Sequence, residues 1–149
     1  MWERYRGSTR HLRRLGLHRT RIENGVASGT PDTNEALLGR EWWLEFKVCE
    51  RPKAPRGPVQ IKWRKGQQEW LYRRCRVGCR AYLFLQVGKA RAARRYLIQG
   101  RHTPFLEGLC ESNILVLSIV APTASSDEIL LAAAGLTPED IERASPPAD

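Results

Sequence analysis

The sequence predicts a mixed α/β fold, with a central mixed β-sheet flanked by helices and an acidic helical segment at the C-terminal end. Three observations carry this. Helical and strand-like stretches alternate along the chain instead of segregating into blocks. The stretch "GREWWLEFKV" at 39–48 reads as a strand buried inside a sheet. A hydrophobic share of 42% in 149 residues is enough for one substantial core.

Residues 2–15 read as a helix, because Trp2, Tyr5, Thr9, Leu12 and Leu15 share one stripe and arginines fill the other faces. Gly16 supplies a stop, and Gly7 weakens the interior. The stretch "HRTRIENGVASG" ends in loop residues. Next, "TPDTNEALLGREWWLEFKV" reads as two strands joined at Leu38-Gly39-Arg40. Three prolines and a glycine make "CERPKAPRGPVQ" a loop, studded with basic residues. "KGQQEWLYRRCRVG" is a helix that stops at Gly78. "RAYLFLQVG" and "RRYLIQG" are strands around a turn-like "KARAA". In "HTPFLEGLCE", Thr103 and Pro104 form an N-cap and first-turn pair, so a short helix is expected. "NILVLSIV" reads as a final buried strand.

Two capping signatures then predict helices, Ser125 with Glu128 before "ILLAAAGL" and Thr137 with Pro138 before "EDIERA". "SPPAD" is expected to fray. The division expected is a domain over 1–120 and a partly flexible acidic helical tail over 121–149. No internal repeat is visible. No apolar run is long enough to span a membrane, and the N-terminus lacks the apolar stretch of a secretory signal, so a soluble cytoplasmic protein is expected.

Charge narrows the partners. The net charge is +9 and the pI near 9.9. Residues 1–120 hold 24 basic and 10 acidic side chains, a net of +14, whereas 121–149 hold 1 basic and 6 acidic, a net of −5. A strongly basic body suggests a polyanion, nucleic acid first. A basic protein without such a partner is the plainer alternative. Cys49, Cys75, Cys79 and Cys110 form no C-x-x-C pair, and His11, His18 and His102 complete no zinc pattern. The thiols read as small buried side chains.

The central strand carries the chemistry. Alternate side chains of a strand share a face. Leu44, Phe46 and Val48 point one way, and Trp43, Glu45 and Lys47 the other. Glu45 and Lys47 are then about 6–7 Å apart along one face. A lone buried charge is costly, so these two are paired, solvated in a cleft, or bound to a metal. A hairpin about Gly39 would bring Asp32 to the same place. Two close carboxylates repel, and a divalent cation relieves the repulsion. Oxygen ligation by one or two carboxylates is how proteins hold Mg²⁺ on phosphate substrates, and a lysine alongside can orient or help deprotonate a water. These are the parts for metal-assisted hydrolysis of a phosphodiester. The ordinary reading of an E-x-K triplet is a solvated strand face with a weak ion pair.

"GTPD" at 29–32 followed by "EFK" at 45–47 resembles the PD-(D/E)XK nuclease superfamily. With "RIENGVASGTPD", "WLEFKV" and "QQEW" in that order, residues 2–100 are similar to its small single-domain VRR-NUC branch, known mostly from phages and bacteria. They are also similar to the phage endonuclease I that resolves four-way DNA junctions. The resemblance implies a restriction-endonuclease-like αβββαβ core. It implies Asp32 and Glu45 as metal-ligating carboxylates, the Phe46 carbonyl as a further ligand, and Lys47 as the residue that positions or activates water. Glu23 would bind a second metal, and Gln67, with Gln68 as its alternative, would sit beside the lysine. A simple helix cap is the other reading of Gln67. The implied cofactor is Mg²⁺, with Mn²⁺ as a substitute. The product would carry a 5′-phosphate.

Three basic clusters border this site in sequence: Arg10, Arg13, Arg14, Arg19 and Arg21; Arg51, Lys53 and Arg56; and Lys62, Arg64 and Lys65. They are the candidates for phosphate contact, or else solvated faces. No base-reading motif is present, so recognition of DNA shape is expected. Trp63 and Trp70 read as core residues, with base stacking the other use of their rings. Symmetric cutting of a junction favours a homodimer, with the Trp2–Tyr5–Leu12 stripe as one candidate interface. The acidic tail is also a candidate cover for the basic cleft. The expected function is a Mg²⁺-dependent endonuclease acting on four-way (Holliday) junctions. The alternatives are a flap or nicking nuclease of the same fold, or a non-catalytic DNA-binding protein.

Overall fold

A computed structural model describes residues 2–23 and 29–145. The expectations for the loop at 24–28 and for fraying beyond Ser145 lie outside the described residues. The chain runs α1 (Trp2–Ser8), β1 (His18–Arg21), β2 (Thr33–Leu37), β3 (Arg40–Cys49), α2 (Gln67–Arg76), β4 (Ala81–Val87), β5 (Arg94–Gln99), α3 (Glu111–Leu117), α4 (Ser126–Ala134) and α5 (Pro138–Ala144). The five strands form one sheet in the order β1-β2-β3-β4-β5. Only the β3–β4 pair is parallel, with α2 as its crossover, and the other three are antiparallel. The fold is therefore a mixed α/β one with the αβββαβ element order, extended by β5 and the C-terminal helices.

Strand β4 is buried along its whole length, as a central strand covered on both faces should be. Its side chains alternate between two cores. Tyr82 and Phe84 join Tyr5, Leu12, Trp42, Leu44, Leu97 and the α4 residues Ile129, Leu130 and Ala133 on one face. Leu83, Leu85 and Val87 join Cys49, Val59, Tyr96, Ile98, Leu106 and Ile114 on the other. Full burial of each large apolar side chain contributes about 1.5–3 kcal/mol, so both faces matter to stability. The β2–β3 hairpin turns at Leu38 and Gly39, which both have positive φ, 49° and 74°. That is the pattern of a primed turn, whose twist matches the strands. Gly39 adopts it freely and Leu38 does so at a cost.

Four elements differ from the sequence expectation. The first helix ends at Ser8, and Arg10–Leu15 continues as a 3-10 helix closed by Gly16 at φ 86°. The Thr9 hydroxyl donates to the Tyr5 carbonyl, a bond back to the preceding turn of the kind that bends helices. "HRTR" at 18–21 is a strand, β1, although it offers no apolar alternation. Residues Gly100–Phe105 form a 3-10 helix in which Thr103 is interior, its hydroxyl bonded to the Gly100 and Gln68 carbonyls instead of capping a helix. "NILVLSIV" is not a buried strand: residues Glu111–Leu117 are α3, with Ile114 and Leu117 facing the core and Val116 82% exposed. Helical spacing buries one stripe of this apolar run and leaves the rest in solvent.

Both C-terminal helices begin with complete capping boxes, Ser125 with Glu128 and Thr137 with Asp140. The boundary expected at 120/121 is a boundary in charge. In packing, α4 is part of the first core, and Leu136 and Ile141 lie against it. A segment so placed is not a loose cover for a cleft, and deleting it would open the core. No helix among the described residues is long and apolar enough to cross a membrane.

Candidate active site

Strand β3 positions the site. Trp42, Leu44 and Phe46 pack into the first core, so Trp43, Glu45 and Lys47 face the side covered by α2, where Trp43 meets Trp70 at 5.1 Å between ring centroids. Val48 departs from the expected inward position and is 52% exposed. The antiparallel register pairs Thr33 with Leu44, and β2 starts there. Asp32 precedes that pair and thus lies next to Glu45. Its main-chain carbonyl accepts the Ile22 N–H at 2.8 Å, and its carboxylate Oδ2 accepts the Phe46 N–H at 2.9 Å. In a strand, the N–H and C=O of one residue point to the same edge. The Phe46 carbonyl is therefore directed to the Asp32 edge.

Glu45 is 1% exposed. Its Oε1 accepts the Gln67 amide at 2.5 Å and pairs with the Lys47 ammonium at 2.9 Å. Gln67, the first residue of α2, returns its carbonyl oxygen to Lys47 at 2.7 Å and to the Arg64 N–H at 2.8 Å. Glu45, Lys47 and Gln67 form a closed triangle in which each fixes the other two. The alternative glutamine, Gln68, faces elsewhere and donates to the Thr103 carbonyl at 2.9 Å. The other Glu45 oxygen, Oε2, is buried and has no hydrogen-bond partner among the described residues. Burial pushes the Glu45 carboxyl above its ordinary range. The bond to Lys47 pulls it back, the Asp32 charge raises it, and the Lys47 and Arg64 charges lower it.

Gly29 fixes the approach of the "GTPD" segment to α2. Its φ is +94°, and a Cβ there would lie 2.6 Å from the carbonyl carbon and oxygen of Gly66, the residue before Gln67. Only glycine fits. The same segment that delivers Asp32 thus rests on the start of the helix that delivers Gln67.

Other expected site residues lie outside this cluster. Glu23 is exposed, its side chain at 82%, and faces Arg21 at 3.8 Å. Among the described residues, no hydrogen bond or ion pair joins it to Asp32 or Glu45. Arg13, Arg14, Arg21, Lys53, Lys62, Arg64 and Lys65 are exposed. Arg51 is exposed too but engaged, with Glu111 at 3.2 Å and the Ala92 carbonyl at 3.0 Å. Arg19 departs from the expected phosphate contact. Its side chain is 6% exposed, bonds Glu35 at 2.8 Å, and lies over the Tyr5 ring at 4.6 Å. Glu35, which the sequence did not single out, is fully buried. It accepts the Tyr5 hydroxyl at 2.9 Å, and burial raises its pKa against the lowering effects of Arg19 and Tyr5. Trp63 is a second unexpected neighbour, with its ring centroid 5.6 Å from the Lys47 ammonium.

Whether a divalent cation suits this place can be judged from the donors. Two adjacent carboxylates, one with a buried oxygen lacking a partner, and a carbonyl on the same edge form an all-oxygen set, which fits Mg²⁺ or Mn²⁺ and not zinc. No group of three or more His, Cys, Asp or Glu residues able to hold a metal occurs among the described residues, so the set rests on two carboxylates.

No family model matches the chain, and no curated protein does either. Among solved structures, the chain is similar to Archaeoglobus fulgidus Hjc, a Holliday junction resolvase from an archaeal hyperthermophile. The identity is 19%, over 76% of this chain and 98% of that one, with a TM-score of 0.37.

Proposed function

We propose that this chain is a metal-dependent DNA endonuclease of the PD-(D/E)XK type that hydrolyses phosphodiester bonds in branched DNA. The observation that carries the reading is the Glu45 carboxylate, next to Asp32 in the strand register: buried, fixed through one oxygen by Lys47 and Gln67, and left with its other oxygen unpartnered among the described residues. A merely structural ion pair gains nothing from a buried orphan oxygen, which costs roughly 1–3 kcal/mol.

Asp32, Glu45 and the Phe46 carbonyl would hold the cation, Mg²⁺ or Mn²⁺. When bound, it would offset the negative charge on the phosphate and lower the pKa of water. The protein's own part is positioning. Gln67 and Glu45 take two of the three donors of the Lys47 ammonium, leaving one for the attacking water or a phosphate oxygen. Asp32 is held by the backbone of the strand that carries Glu45, so the two carboxylates keep a fixed relation. Glu23 would join only by leaving Arg21. The exposed Arg13, Arg14, Arg21, Lys53, Lys62, Arg64 and Lys65 supply charge for DNA phosphates. Cutting two strands of a four-way junction would take two copies of the chain.

The test is cleavage of labelled four-way junction, flap and linear duplex in Mg²⁺, with Lys47→Ala and Asp32→Asn as controls. Branched substrates should be cut and both variants should lose at least roughly a hundredfold in rate. Cleavage that survives both substitutions would overturn the proposal.

A further inference from the structure

We propose that the groove beside Lys47 binds an unpaired single strand of the substrate, with one unstacked base received against Trp63. The inference rests on the nuclease reading and specifies its substrate. Two hollows flank the segment 58–60. One, of about 460 Å³, is bordered by Val48, Glu50, Arg51, Lys53 and Lys62, three cations to one acid. The other, of about 450 Å³, is bordered by Val59, Ile61, Trp63, Gln68, Leu106 and Glu107. Pro58 and Gln60 line both, so the hollows are neighbours across a shared wall. Trp63 links the second hollow to the candidate site, because the Lys47 ammonium lies 5.6 Å from its ring centroid.

The two hollows suit two different parts of a nucleotide. Lys53 and Lys62 are exposed and, among the described residues, bound to no carboxylate, which suits phosphate oxygens. The second hollow offers the Trp63 ring and the side of Ile61 next to the polar groups of Gln60, Gln68 and Glu107, a mixture that suits the face and the edge of a base. A cationic track with an aromatic platform beside it is the combination that binds single-stranded nucleic acid without reading sequence. A continuous duplex keeps its bases stacked inside and presents only phosphates, so it can fill the first hollow and not the second. A flap or an opened fork can fill both. Among branched DNAs, those with an unpaired arm are therefore favoured.

The experiment measures binding, by fluorescence anisotropy without added divalent cation, to an oligo-dT and to a blunt duplex of equal length. The wild-type chain should bind the single strand several-fold more tightly. Trp63→Ala should weaken single-strand binding by roughly tenfold and leave duplex binding unchanged. The double variant Lys53→Glu/Lys62→Glu, changed only at exposed positions, should weaken binding of both DNAs, and Trp63→Leu, which keeps apolar bulk without a ring, should lose the preference and provides the answer if Trp63→Ala does not fold. Equal affinity of the wild type for both DNAs overturns the inference, as does an equal loss on both with Trp63→Ala. Binding is read apart from cleavage. A single-strand preference without cleavage of any DNA would strike the nuclease reading alone, whereas cleavage of branched DNA without that preference would strike this inference alone.

Discussion

Gln67 at the start of α2 and Glu45 in the middle of β3 are joined by an amide-to-carboxylate bond of 2.5 Å, while the same glutamine's carbonyl holds Lys47. One side chain thus aligns both catalytic candidates. Replacing Gln67 with Ala should lower the cleavage rate by roughly 10- to 100-fold, the usual effect of removing a group that orients a metal ligand. The fall should appear in kcat more than in KM. A variant with unchanged kcat would reduce Gln67 to a helix cap.

Glu45 should make the metal-free fold less stable as pH rises. Its folded pKa is raised by burial, so its favourable contribution is complete below the unfolded carboxylate pKa and is lost as pH climbs through the folded value. Glu45→Gln should therefore melt at a higher temperature than wild type near neutral pH, and the gap should close in acid. Thermal melts across pH in a chelator check this. A variant less stable than wild type at pH 7 would show that the Lys47 pair outweighs the burial cost.

Added Mg²⁺ should reverse that penalty. A cation bound by the folded state alone raises stability in proportion to RT ln(1 + [L]/Kd), about 2.7 kcal/mol at a hundredfold excess over Kd. The melting temperature of the wild type should rise with Mg²⁺ or Mn²⁺. Asp32→Asn and Glu45→Gln should each abolish most of the rise. An identical shift in all three would place the cation elsewhere.

Arg19 is predicted to matter for folding and not for phosphate binding. It lies opposite Glu35 in the β1–β2 register, and its positive charge acts directly on that buried acid. Arg19→Ala should cost about 3–5 kcal/mol, the price of stranding a buried charge. Urea denaturation measures it. Arg19→Ala/Glu35→Gln should recover part of the loss, and a single variant within ~1 kcal/mol of wild type would contradict the assignment.

Gly29→Ala should damage stability and activity together. The new Cβ would press on the Gly66 backbone from a conformation that alanine resists. A loss on the order of 2–4 kcal/mol is expected, with a fall in cleavage because Asp32 and Gln67 lose their common support. Gly7→Ala, at a position with open space around it, is the control. Equal stability of the two variants would refute the packing argument.

The parts of this structure that were legible in the sequence are those set by short-range pattern. The period of two in β3 puts Glu45 and Lys47 on one face, the glycine at the hairpin sets the turn, and the capping boxes start α4 and α5. What escaped was decided at long range. Strand β1 has no apolar alternation and exists because β2 lies beside it. Arg19 looked like its surface neighbours until the register put it across from Glu35. The run at 114–120 has the composition of a strand, yet α3, its helical turns started at Cys110, takes it up as far as Leu117, and Ser118 and Ile119 bridge to β5. Trp63 reaches Lys47 across a loop whose path no local pattern foretells.

Strand β3 outruns its neighbour. Pairing with β2 stops at Thr33 and Leu44, whereas pairing with β4 continues to Cys49. The peptide N–H of Phe46, which a longer β2 would have claimed, goes to the Asp32 carboxylate. The candidate site thus sits where the pleated scaffold has been left unfinished. Its existence depends on where one strand gives out, not on how far a loop can reach. Extending β2 by two paired residues, to the position opposite Phe46, would complete the sheet and close the opening.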